Sequence, residues 1–141
     1  MDWKQEAADK LRQYLPMRNA LKNIPLELRS LEADSHSLRS GIIHLPRGSE
    51  NMRENMLLDN LVKRRELEAQ LEQVELWLHH VDSGLADLSA EDKMILTEMY
   101  IRSAPGGADR VCEKLGIERS SAYRQRDRAL RCFTLNLYGD S

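Results

Sequence analysis

Five arginines, Arg119, Arg124, Arg126, Arg128 and Arg131, fall within thirteen residues against the single acid Asp127, a local charge of +4. A guanidinium is a planar fork of donors that keeps its charge at any ordinary pH, which suits bidentate pairing with phosphate oxygens or with the O6/N7 edge of guanine. Between the arginines, Ala122, Ala129, Leu130 and Phe133 recur at helical spacing. That spacing predicts a helix over about 119–137, apolar on its inner side and basic on its outer side. If the first turns of this helix enter a DNA major groove, Arg119, Ser120, Ser121, Tyr123 and Arg124 face base edges or flanking phosphates. Arg128 and Arg131 lie farther along and would touch the backbone, adding affinity without sequence information. The bland alternative is a helix side that is merely solvated.

The segment just before the helix decides between them. Val111 and Leu115 lie four apart on one helix face, Gly116 is placed to adopt the positive φ of a C-cap, and Ile117 follows as an apolar plug. Ser89 and Asp92 read as a capping-box variant that opens an earlier helix, with Met94, Ile95, Met99 and either Tyr100 or Ile101 turned inward. Residues 103–107, with one proline and two glycines, end it. Residues 89–137 are thus expected to form three helices, the last two joined as a helix-turn-helix. The order of LGI, a short Ser-containing turn and AYRxxDRAL resembles the promoter-reading fourth region of bacterial sigma factors. It resembles more closely the phage-encoded regulators of the RinA and ArpU type, with Tyr100-Ile101 and Asp127-Arg128-Ala129-Leu130 as the matching residues. The match spans roughly 89–133. It departs at Glu118, where such motifs carry Ser or Thr, so the cap is expected to move to Ser120 or Ser121. It departs also at Gln125 and Arg126, where an apolar residue normally packs back, so a thin core is expected.

The rest of the chain reads as helical support, giving an all-α protein with an N-terminal helical hairpin or coiled coil followed by the three-helix domain. The expected division is 1–88, an oligomerisation or partner-binding region, and 89–141, the DNA-binding domain. Trp3, Ala7, Leu11 and Tyr14 share one face of a first helix that Pro16 ends or kinks. Leu21, Ile24, Leu28 and Leu31 continue the pattern, interrupted by Pro25, which removes a backbone donor and is expected to bend the helix near Leu21. Small and polar residues over about 34–53 read as a loop, with Ile42, Ile43 and Leu45 inside it. From Glu50 to Ala86 a heptad-like seam runs through Leu57, Leu61, Arg64, Leu67, Leu71, Val74, Leu78 and Val81 and on to Leu85 and Leu88. A helix of that span is about 50 Å long at ~1.5 Å per residue and cannot stand alone. Its stripe must be covered by the N-terminal helices, by a second copy of the chain, or by both, and self-association as a homodimer is the favoured reading. Arg64, the seam's polar interruption, would fix the register.

Composition narrows the classes. Of the net charge of −2, residues 119–141 hold +3, so the remainder holds −5. An acidic body with a basic end would orient itself on a duplex. No apolar run approaches a membrane span of ~20 residues, and no signal-peptide core opens the chain, so a cytoplasmic protein is expected. Cys112 and Cys132 read as reduced, packed thiols. His79 and His80 project about 100° apart, and His36 and His44 lack acidic or thiol neighbours, so no metal is expected. No phosphate loop, dinucleotide fingerprint or nucleophile set is present, which argues against an enzyme and against a cofactor. The resemblance implies a sigma-like activator of phage or prophage genes that binds double-stranded promoter DNA, with RNA polymerase as a further partner. Two alternatives remain open: a DNA-packaging protein of small-terminase type, and a helical adaptor that does not bind DNA.

Overall fold

In a computed structural model that describes residues 2–41 and 48–139, every regular element is helical. In chain order these are α1 (Trp3–Arg12), α2 (Tyr14–Ser40), α3 (Glu50–Ala86), α4 (Ala90–Leu96), a π-helical turn (Thr97–Ile101), α5 (Gly107–Leu115) and α6 (Arg119–Tyr138). Among the described residues no helix is long and apolar enough to cross a membrane. Several ends follow local signals. Ser89 Oγ accepts from the Asp92 amide at 3.1 Å and opens α4, and Gly116, at φ +65, closes α5 in the left-handed conformation.

Two expected boundaries move. The break after α1 falls at Gln13, and Pro16 sits in the first turn of α2, where its missing amide would have no helical partner in any case. The expected loop over about 34–53 is largely helical, since α2 runs on to Ser40 and α3 begins at Glu50. Ser35 and Leu38 are buried there, so packing outweighs the weak helix preference of the serines. Ile42, Ile43 and Leu45, with His44 and Pro46, lie outside the described residues.

The helices gather into two compact units that cross the boundary expected between 88 and 89: Met1–Arg18 with Leu76–Ser141, and Asn19–Glu75. The physical reason is α1. Its Ala7, Ala8 and Leu11 share one core with Val81 and Leu88, with Leu96, Tyr100 and Ile101, and with Ala129, Leu130 and Phe133 of α6. A second cluster, Ile95, Val111 and Ala122, fixes α5 and α6 against α4. Gly84 of α3 is a point of close approach: a Cβ there would stand 2.7 Å from Leu137 Cδ2 and 2.9 Å from Phe133 Cε1. Asn136 Nδ2 donates to the Gly84 carbonyl at 3.0 Å across the same contact.

In the unit Asn19–Glu75, the α2 and α3 segments run antiparallel. Asn60 Nδ2 donates to the Leu31 carbonyl at 2.8 Å, and Asp34 and Leu38 line one cavity with Met56 and Asp59. Arg64 Nε donates to Asn60 Oδ1 at 2.8 Å, so the seam's polar interruption is tied within the chain. Of the residues expected to mediate self-association, Val74, Leu78 and Val81 are buried inside the chain and offer no surface to a second copy. Leu57, Arg64, Leu67 and Leu71 are half-buried, and Leu61 is exposed.

Gly107 packs closely against the backbone of the π turn. A Cβ there would overlap the Glu98 carbonyl oxygen and stand 3.0 Å from Met99 Cα, and neither atom can yield as a side-chain tip can. Gly107→Ala is expected to lower stability in urea titrations by about 2–3 kcal/mol. Gly84→Ala should cost less, because side chains rather than backbone face it and alanine favours the helix by about 1 kcal/mol.

Candidate nucleic-acid interface

The platform for α5 and α6 begins at the π turn. Its i→i+5 bonding, seen in the 2.9 Å bond from the Arg102 amide to the Thr97 carbonyl, takes an additional residue into the turn. Tyr100 and Ile101 are therefore both buried, where the α-helical pattern had room for one, and Glu98 is buried with them. The Glu98 carboxylate receives Arg110 Nε at 2.6 Å, Lys114 Nζ at 2.7 Å and Arg102 Nη1 at 3.0 Å. Arg110 also donates to the carbonyls of Glu98, Ala104 and Pro105, which ties down the segment entering α5. Hydrogen bonds from Lys114 and Arg110 hold the Glu98 carboxyl at about 2, below its ordinary 4.5, against the opposing effect of burial. Nothing in the sequence spacing singled out Glu98, because its partners lie four, twelve and sixteen residues away.

From Gly116 the chain turns into α6 at Glu118, which is the N-cap residue without a side-chain capping bond. The expected shift of the cap to Ser120 or Ser121 does not occur. Ala122 is fully buried and its amide donates to the Glu118 carbonyl at 2.9 Å, which fixes the first turn where it stands.

The seven residues expected to read DNA divide between two sides of α6. Ser121, Arg124 and Arg128 line one groove of about 360 Å³ together with Gln125. Arg124 Nη2 donates to Ser121 Oγ at 3.2 Å, so the guanidinium is aligned along this face. Arg131 continues the same side one turn on, and Ser120 is exposed in the first turn of α6. Arg119 and Tyr123 lie elsewhere. Arg119 Nη2 pairs with Asp109 Oδ1 of α5 at 2.6 Å, both side chains well exposed. Tyr123 lies under the Arg126 guanidinium, 4.8 Å from ring centroid to Cζ, and next to Gly106 and Gly107. Arg126, expected on the surface, is half-buried by that stacking and by its pair with Asp127. Sequence reasoning also missed Gln125, whose Oε1 is buried without a hydrogen-bond partner among the described residues.

Cys112 and Cys132 are free and half-buried, and among the described residues no three His, Cys, Asp or Glu side chains form a group able to hold a metal. No protein-family model, curated protein or solved structure matches this chain.

Glu98→Ala is expected to cost about 2–3 kcal/mol, because three cations lose their shared acceptor. The folded-state pKa lies below the ordinary value, so the stabilisation from Glu98 is full above pH 4.5 and is lost as pH falls toward about 2. Urea titrations across that window should show wild type weakening with acid more steeply than Glu98→Gln. Equal slopes would mean that the carboxylate's charge contributes nothing.

Proposed function

We propose that this chain is a DNA-binding transcription regulator that reads duplex DNA with α6, in the manner of the sigma-region-four-like regulators it resembles. The observation that carries the reading is the pairing state of the arginines. Arg119 and Arg126 have carboxylate partners, whereas Arg124, Arg128 and Arg131 have none among the described residues. These three follow one another at four and three residues, so they share one face of α6. Like charges at that spacing destabilise a helix, and a polyanion would relieve the repulsion. Ser121 and Arg124 sit toward the N-terminal end, which is the end that reaches base edges in this kind of docking. Arg119 contributes a phosphate contact at small cost, since its pair with Asp109 is fully exposed and solvent screens it. A promoter complex would bring RNA polymerase within reach as a further partner.

Self-association belongs to the same reading, through α3 residues that the chain leaves uncovered. Leu58, Leu61 and Val62 are exposed by 58, 38 and 49%. Their spacing makes them a stripe on one helix face. A homodimer formed there would present two copies of α6 to one operator.

Arg124→Ala should cost roughly 1–3 kcal/mol on a selected duplex and flatten discrimination against a scrambled one. Arg131→Ala should weaken both about equally and reduce the salt slope by about one. Fluorescence anisotropy measures both, and a wild-type chain that fails to bind duplex DNA at low salt sinks the proposal. For the dimer, light scattering after size-exclusion chromatography should show two copies at tens of micromolar. Leu58→Glu with Leu61→Glu should return a folded monomer; a wild-type monomer would contradict the interface.

A further inference from the structure

A second cationic groove lies where the first turn of α1 meets α6. It encloses about 260 Å³ and is lined by Trp3 and Lys4 from α1 and by Asp127, Arg128 and Arg131 from α6. Its one carboxylate is already engaged: Asp127 Oδ1 accepts from Arg126 Nε at 3.1 Å and Nη2 at 3.0 Å. Lys4 Nζ reaches Asp127 Oδ2 at 3.5 Å, and 46% of the Lys4 side chain remains exposed. An ammonium has three donors, so this long contact leaves Lys4 free to bind another acceptor. Lys4, Arg128 and Arg131 thus outnumber the groove's single carboxylate three to one.

We infer that this groove binds the sugar–phosphate backbone of the duplex that α6 reads, with Lys4 as a phosphate contact supplied from the far end of the sequence. The inference rests on the DNA-reading proposal for α6. Continuity identifies the occupant: Arg128 lines this groove and also the one formed by Ser121, Arg124 and Gln125. A ligand that fills both must be an extended polyanion, which a single phosphate ion is not. Trp3 lies at the groove's wall, with Lys4 Nζ 5.8 Å from its ring centroid, and so is a built-in reporter.

The full-length chain tests this directly. Lys4→Ala should reduce the slope of log affinity against log salt by about one while leaving discrimination between a selected and a scrambled duplex unchanged. Lys4→Arg should restore the slope. Because the chain has two tryptophans, Trp77→Phe leaves Trp3 as sole emitter. Its fluorescence should then change on adding duplex and stay constant with equimolar inorganic phosphate. If Lys4→Ala binds with an unchanged slope and Trp3 is silent, the groove is empty and the inference falls, while the α6 reading stands. If the wild type binds no duplex, both fall.

Discussion

The buried carboxylate of Glu98 holds the α5–α6 pair in place. It gathers Arg110 and Lys114 of α5 and Arg102 just beyond the π turn. The cations keep part of their hydration, with Lys114 and Arg102 about half exposed, while the carboxylate is nearly dry. That asymmetry favours the cluster, because the desolvation cost falls mainly on one group that then receives several charge-assisted bonds. The close contact of Gly107 with the Glu98 carbonyl adds a steric stop. Together they set where α5 begins, hence where Gly116 turns the chain and where α6 starts.

α6 has two chemistries on one helix. Toward the core, Ala122, Ala129, Leu130 and Phe133 pack against α4, α5 and α1. Beside them, Arg126 and Tyr123 stack into the protein's own polar shell, and Arg119 pairs back to α5. Among the described residues Arg124, Arg128 and Arg131 have no carboxylate partner, and their spacing places them on a single side of the helix. The five arginines that look equivalent in sequence are therefore sorted by their neighbours, into those paired with carboxylates and those that are not.

What was legible in the sequence was what local physics controls. The all-α class, the left-handed Gly116, the Ser89 cap and the span of α6 follow from periodicity and capping within a few residues. What was not legible depended on partners far along the chain. Ser35 and Ser37 look like loop residues, yet Ser35 is buried with Leu38 in α2, and Asn60 of α3 ties the same helix at the Leu31 carbonyl. Tyr100 and Ile101 compete for one inward position in an α-helix, and only the π turn admits both. The apolar face of α1 was visible, but its docking on α6, about 120 residues away, was not. That docking moves the domain boundary and brings Lys4 beside Arg128.

The central claim, that the unpaired arginine face of α6 meets DNA, is most directly tested by backbone amide NMR of the labelled full-length chain titrated with duplex DNA. Shift changes concentrated over 119–131 and at Lys4, with residues 19–75 of α2 and α3 little affected, are expected. A response confined to residues 19–75, or none at duplex excess and low salt, would contradict it.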